Sequence, residues 1–301
     1  MGGEGAPKGR LKRIPQKLTD FCDQNSLQRS KSGAISYRSN DSVRAESALT
    51  PDFAARREAA RTRLDAIDPH KKDGGLDADP LRRDWFEAVY RLAEGDAACV
   101  PWGDLAAHPL LVDWLAREGS LSGLRALDVG CGLGDNAEAL ARAGAKVAAF
   151  DFVDAAIDWA RRRFPQSAVD YRAADLFALP AEWRGAFDLV HECYTLQALP
   201  KTLLEKAAKA LASAVGPGGR LLVIARAREE DQHFSGPPWP LTRGQIEALA
   251  TDGLTLATLE QLAARGDRPH WRAVLTRTTG EARGYAPRLS AKTSYISTGA
   301  G

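Results

Sequence analysis

The 301-residue sequence has only four cysteines, no long apolar run and almost no net charge, and each shortage argues against a class of protein. Cys22, Cys99, Cys131 and Cys193 stand without paired or metal-like spacing. That pattern speaks against a disulfide scaffold and against a zinc or iron–sulfur site, and for free thiols in a reducing compartment. No stretch approaches the roughly 18 apolar residues of a membrane span, and the N-terminus lacks the hydrophobic core of a secretory signal. A cytoplasmic protein with no membrane partner is expected. Lys plus Arg (41) nearly cancel Asp plus Glu (39), so no large field is available for bulk nucleic-acid binding. What remains is ordinary globular material, 44% hydrophobic and 27% charged, long enough for one large α/β domain with appendages.

The character of the chain changes along its length. Residues 1–50 are rich in Gly, Ser, Arg and Lys without apolar periodicity, so a disordered basic segment is expected there. Residues 51–120 read as a helical cap region. It opens with a helix over Pro51–Asp68, whose Arg56, Arg57, Arg61 and Arg63 read most simply as a solvated face. Trp85, Phe86, Val89, Tyr90 and Leu92 mark an amphipathic helix, Cys99–Asp104 a turn, and Leu110–Leu115 the start of another helix.

Residues 121–279 then alternate strand and helix in the manner of βαβ units. Strands are expected at Arg125–Val129, Lys146–Phe150, Val169–Ala173, Phe187–His191 and Arg220–Ala225. Helices are expected at Asp135–Ala143, Asp154–Phe164 and Pro200–Val215. After a helix at Thr242–Thr251, Leu254–Leu259 and His270–Arg277 read as an antiparallel pair closing the sheet. The sum is an α/β fold with a seven-stranded, mostly parallel sheet and helices on both faces. Residues 280–301 lack periodicity and read as a flexible tail.

The densest information lies in Leu124–Gly134 (LRALDVGCGLG), followed 17 residues after its last glycine by Asp151 at the end of the next apolar run. This is strand, glycine-rich turn and helix start, with a carboxylate waiting: the layout of a nucleoside-cofactor site. Gly130, Gly132 and Gly134 let backbone pass close to a ligand. Their GxGxG spacing differs from the dinucleotide GxGxxG, and Asp128 and Asp135 on either side would repel a diphosphate and welcome a cationic ligand. Asp175 stands at the end of the third strand and His191, Glu192, Cys193 and Tyr194 at the end of the fourth. One strand-end carboxylate is often only a cap or turn residue, but several in register favour a site.

With LDVGCGLG, AAFD, AADLF, FDLV and GPGGRLLVI on strands one to five, residues 121–277 resemble the class I S-adenosylmethionine-dependent methyltransferases, whose fold is Rossmann-like. The resemblance implies that Asp128, Gly130, Cys131, Gly132 and Gly134 line the methionine and ribose of S-adenosylmethionine. It implies further that Asp151 accepts from both ribose hydroxyls, that Asp175 and Leu176 meet the adenine, and that Phe152 flanks its ring or simply packs in the core. The segments WFEAVYRLAEGDAACVPWGDLAAHPLL and GPPWPLTRGQIEAL are loosely similar to the flanks of thiopurine and halide/thiol methyltransferase-like proteins. That likeness implies a small-molecule acceptor, possibly a soft thiol, with Trp102 over the methionine end or acting as a hydrophobic clasp. Trp239, with Pro237 and Pro238, walls the acceptor or packs as a rigid loop.

In the same reading Glu192 orients the methionine ammonium or takes a proton, and Tyr194 lies near the acceptor. Residues at the end of a buried strand also serve backbone contacts, and both roles stand open for His191 and Glu192. The strand-four line HECYTLQALP lacks the Asn/Asp-Pro-Pro-Tyr/Phe motif of enzymes that methylate nucleobase amines. The alternatives are methylation of a protein side chain or a natural-product oxygen or nitrogen, and a non-catalytic S-adenosylmethionine-binding protein.

Overall fold

The computed structural model describes residues 12–13, 51–72, 75–264 and 268–279. The expectations for Cys22, for the rest of residues 1–50 and for the tail after residue 279 lie outside the described residues. Eight strands form one sheet: β1 (Lys12–Arg13), β2 (Arg125–Val129), β3 (Lys146–Asp151), β4 (Asp170–Ala173), β5 (Phe187–Cys193), β6 (Val215–Arg226), β7 (Leu254–Ala264) and β8 (Arg268–Arg277). Their order is β1-β7-β8-β6-β5-β2-β3-β4. The sheet is therefore the expected seven strands plus one. The addition is the two-residue β1, which pairs parallel with Leu262–Ala263 because β7 runs five residues beyond its expected end at Leu259 and offers a free edge.

Strands β2 to β6 are mutually parallel, and β8 runs antiparallel to both β6 and β7. The chain winds outward from β2 through β3 to β4, then returns to place β5 on the other side of β2. Strand order thus reverses between β2 and β5, and the crevice beyond their carboxyl ends is where an open α/β sheet binds ligands.

The helices are α1 (Pro51–Ile67), α2 (Gly75–Ala78), α3 (Arg83–Ala93), α4 (Pro109–Glu118), α5 (Asp135–Arg142), α6 (Asp154–Arg163), α7 (Leu204–Ala214) and α8 (Arg243–Glu247). They cover both faces. Alternation along β2, β5 and β6 sends Leu127, Val129, Val190, Leu221 and Val223 to a core with Ala208 and Leu211 of α7 and Ile246 of α8. It sends Ala126, Leu189, Leu222 and Ile224 to a second core with Leu110, Leu111 and Trp114 of α4, Leu140 of α5 and Ile157 of α6. Helix α8 is half the expected length, although Thr242 starts it with a full capping box against Gln245. Past Glu247 the chain is already turning into β7, with Asp252 in the left-handed region at φ 47°. Among the described residues, no helix is long and apolar enough to cross a membrane.

A third core joins the cap to the sheet: Phe53 and Leu64 of α1 and Trp85, Val89 and Tyr90 of α3 pack with Leu133, Val153, Ala156 and Trp159. Here the expectation of a solvated arginine face on α1 is corrected for two of the four residues. Arg57 turns inward across the Phe53 ring at 4.8 Å, ion-pairs with Asp104 at 2.5 Å and donates to the Gly103 carbonyl at 2.8 Å. Arg56 pairs with Asp96 at 2.8 Å. Each guanidinium finds a carboxylate in the connection between α3 and α4, so the face is an anchor.

A buried arginine ties α4 to the end of the sheet. Arg272 of β8 is 1% exposed, and it donates to Asp113 at 2.6 Å, to the Leu110 carbonyl at 3.1 Å and to Glu260 of β7 at 2.6 and 2.9 Å. Three oxygen-bearing partners are what a fully desolvated guanidinium requires.

Candidate active site at the sheet switch point

The glycine turn follows β2 as expected, but its glycines answer to different neighbours. Gly134 (φ 90°) has the Tyr171 hydroxyl 2.5 Å from where a Cβ would stand, and Gly130 (φ 63°) has the Thr195 hydroxyl in the same place. Protein packing demands both. Gly132 (φ 51°) instead faces Trp102, whose indole nitrogen lies 3.2 Å from its Cβ position, and donates its amide to Asp151 Oδ2 at 3.1 Å. Asp151 Oδ1 accepts the Val153 amide at 3.0 Å. The Phe152 amide also acts on the carboxylate, so of its roughly four acceptor sites at least one is left, and it is held in place without being used up. Burial pushes its pKa up to about 6 against the pull of these amides.

The electrostatic argument about the turn is corrected. Asp135 is held on both oxygens by Arg163 at 2.8 Å, and Asp128 sits against His191 Nδ1 at 2.6 Å. Both carboxylates are partnered, so they do not form the bare negative wall that would repel a diphosphate. Cys131 joins the turn to β3 through its amide on the Phe150 carbonyl at 2.8 Å, and burial holds its thiol well above the usual range.

Helix α3 packs over the ends of β3 and β4. Phe86 meets Phe152 edge-on at 5.4 Å and Trp102 at 5.3 Å, and the Tyr90 hydroxyl accepts from the Trp102 indole at 3.0 Å. Arg83 lies over the Phe152 ring at 4.7 Å and donates to Asp175 Oδ2 at 3.0 Å. Asp175 Oδ1 meanwhile caps the turn holding Leu176 by accepting from Phe177 at 2.8 Å. The structure therefore links Gly132, Asp151, Phe152, Asp175 and Trp102 into one patch under the cap.

The end of β5 forms the neighbouring wall. Glu192 is 0% exposed; Oε2 accepts the Thr195 and Leu196 amides at 3.0 and 3.1 Å, while Oε1 has no partner among the described residues. Burial pushes this carboxyl up to about 8. Asp128 Oδ2 and His191 Nε2 are likewise buried and unpartnered. Three such atoms at the ends of two neighbouring strands are unusual, because buried polar groups are normally satisfied. Cys193 packs in the core on the α5 side, with its thiol raised by burial. Tyr194, just past the strand, has φ 71° and places its hydroxyl between His108 and His270. Trp239 joins the same wall through its backbone, donating to the Gln197 carbonyl at 2.7 Å, with its ring edge-on to His70 at 5.9 Å. The structure thus makes two linked groups, one around Asp151 and one around Glu192. Trp102 belongs to the first, Tyr194 and Trp239 to the second.

Arg83, Tyr90, His108 and His270 are the residues that sequence reasoning missed. A signal existed for His108 alone, because it precedes proline at the start of an apolar helix and serves as its N-cap.

With the loop, the strand-end acids and the reversal of strand order in place, comparison with known proteins adds a match over part of the chain. Residues 126–219 match the methyltransferase domain family. The methyltransferase domain is similar to ubiquinone biosynthesis O-methyltransferases. That of Xanthomonas campestris pv. campestris is 39% identical over 120 residues, which is 39% of this chain and 49% of the relative. That of Aromatoleum aromaticum is 34% identical over 149 residues, covering 48% of this chain and 62% of the relative. The chain therefore spans between half and two thirds of these relatives. A solved structure concerned with conversion of a disulfide bond into a thioacetal group during echinomycin biosynthesis shares the fold, with a TM-score of 0.54 at 21% identity over 66% of this chain and 94% of that one. The flanks of the methyltransferase domain, including Trp102 and Trp239, lie outside the matched segment.

Proposed function

We propose that the chain binds S-adenosylmethionine at the switch point and transfers its methyl group to a hydroxyl of a small-molecule acceptor. The observation that carries this reading is the buried Asp151 carboxylate at the strand end, fixed by backbone amides with acceptor capacity left over. Two vicinal ribose hydroxyls are the donors that such a carboxylate suits. The donor set beyond it fits the same cofactor. The unpartnered Glu192 Oε1 is an acceptor for the methionine ammonium, and a cation there draws the Glu192 pKa back down from about 8. Phe152 and Leu176 supply apolar contacts for adenine, with Asp175 at its amine. Gly130, Cys131 and Gly134 shape the loop, and Asp128 holds it from below through His191.

The bound cofactor supplies a carbon already activated by positive sulfur, so the protein's work is positioning, desolvation and handling of the acceptor's proton. Trp102 covers Gly132, where an aromatic face favours a cation. Tyr194 and Trp239 wall the acceptor. Oxygen is the acceptor atom that we favour, because the relatives named above are O-methyltransferases; the thiol suggested by the flanks has no such support.

Calorimetric titration of the full chain with S-adenosylmethionine and S-adenosylhomocysteine, beside Asp151→Ala, tests the reading. Binding that is lost in the variant supports it. Absence of binding to the wild type overturns it.

A further inference from the structure

Resting on the proposed hydroxyl acceptor, we propose that Tyr194 takes the acceptor's proton while handing its own to His270, with His108 fixing the phenol in place. Three side chains from separate elements meet here: His108 at the N-cap of α4, Tyr194 beyond β5 and His270 on β8. His108 Nε2 and His270 Nε2 lie 2.9 and 2.7 Å from the Tyr194 hydroxyl. The contacts at the two Nδ1 atoms set the direction of the chain. His108 Nδ1 accepts the Leu110 amide at 3.2 Å, so its proton is on Nε2 and is donated to the Tyr194 oxygen. His270 Nδ1 faces the Arg268 carbonyl at 2.8 Å, so its proton is on Nδ1 and its Nε2 accepts the Tyr194 O–H. The chain has one direction, from His108 through Tyr194 to His270. It leaves a single lone pair on the phenol oxygen.

Access has a direction too. Both imidazoles are 1% exposed, whereas Tyr194 is half-buried, so a ligand reaches this chain through the tyrosine. Tyr194 is also held at φ 71°, a left-handed conformation that a bulky residue rarely adopts and that clusters at functional sites. It lies two residues past Glu192, whose partner-free Oε1 marks the cofactor side.

In the step, the acceptor O–H breaks and its proton bonds to the Tyr194 oxygen as the Tyr194 O–H breaks and its proton bonds to His270 Nε2. The acceptor's freed electron pair forms the new C–O bond, and the pair of the breaking C–S bond stays on sulfur. His108 is kept neutral by burial, with the His270 and His191 imidazoles adding to the effect, so it serves as donor only. Burial likewise holds the phenol well above its usual range, which disfavours a free phenolate and requires the two transfers to move together. Among the described residues, the other charged and titratable groups that act on Tyr194 are Cys193, Arg226 and Arg268. The two arginines ease partial negative charge on its oxygen.

The test uses the full chain saturated with S-adenosylhomocysteine and 4-nitrocatechol as an acceptor probe whose absorbance reports its ionisation. In the wild type, the bound probe ionises at about one pH unit below its free value, a tenfold shift, while 15N spectra move His270 to imidazolium positions. His270→Gln and Tyr194→Phe both abolish the shift and leave S-adenosylhomocysteine affinity within about twofold; if one variant fails to fold, the other carries the test. A probe that binds without the shift, a shift that persists in both variants, or no probe binding to a chain that binds S-adenosylhomocysteine overturns the relay and leaves the proposed function standing. No S-adenosylhomocysteine binding to the wild type overturns both.

Discussion

Asp151 accepts the Gly132 amide at 3.1 Å, so the carboxylate and the one glycine of the turn that faces outward to Trp102 are a single rigid unit. Because burial raises Asp151 to about 6, its charge changes just below neutral pH. Hydroxyl donors favour the ionised form, so S-adenosylhomocysteine affinity rises as pH rises through about 6 and is about fivefold to tenfold weaker at pH ~5 than at pH ~8. Asp151→Asn turns one acceptor into a donor that faces amide N–H groups. Isothermal titration of that variant shows affinity about 10- to 100-fold lower and flat across the same pH range.

Glu192 gives a stability signature of the opposite sense. Its folded-state pKa of about 8 lies above the unfolded value, so the folded chain holds a proton that the unfolded chain releases. The stability this contributes is complete below the unfolded pKa and is lost as pH rises through about 8. Thermal midpoints of the ligand-free protein therefore fall over that window, and Glu192→Gln removes the part of the fall between about pH 6 and 8, leaving the part below it that Asp151 contributes. An unchanged pH profile in the variant counts against the buried, protonated carboxyl.

Arg83 holds Asp175, the carboxylate proposed to meet the adenine amine. The pair is roughly one third exposed on each side, so it is worth at most about 1 kcal/mol. Arg83→Ala removes a bond that adenine has to displace, and S-adenosylhomocysteine binds about twofold to fivefold more tightly, with a faster association rate in stopped-flow. Weaker binding instead identifies Arg83 as a partner of the adenine ring stacked on Phe152.

Arg272 is the residue on which closure of the sheet against α4 depends most. Replacing it by alanine removes the buried cation that Asp113 and Glu260 share and leaves them only the exposed Arg117, 2.7 and 3.6 Å away. Denaturant unfolding of Arg272→Ala shows a loss of about 3–5 kcal/mol. Arg272→Met, which keeps volume without charge, is no better, because the cost comes from the buried Asp113 losing its desolvated partner, which the solvent-exposed Arg117 does not replace.

The sequence carried the parallel strands in order: β2 is found at the expected residues, β3 and β4 differ by one residue at one end and β5 runs two residues further, but β6 starts five residues earlier than expected, directly after α7. Strand alternation, a glycine turn and a strand-end acid are local patterns, set by the two-residue period of the backbone and by steric limits on φ, so they can be read from neighbours in the chain. Residues 126–219, where these patterns are densest, are also the segment that matches a known family.

Other features depended on which distant segments meet. Lys12–Arg13 reads as tail until β7 provides an edge for it, and Arg57 reads as solvated until Asp104 arrives 47 residues later. Gly134 looks like a ligand-facing glycine until Tyr171 fills the space beside it. His108, Tyr194 and His270 are separated by 86 and 76 residues, and no period or spacing relates them. Local sequence determined the strands, the turn and the waiting carboxylate, because these follow from backbone geometry over a few residues. Only the tertiary structure decided which acids are neutralised, which glycines are packed and which titratable groups share a proton, because each of these is fixed by the side chains that the fold brings from elsewhere in the chain.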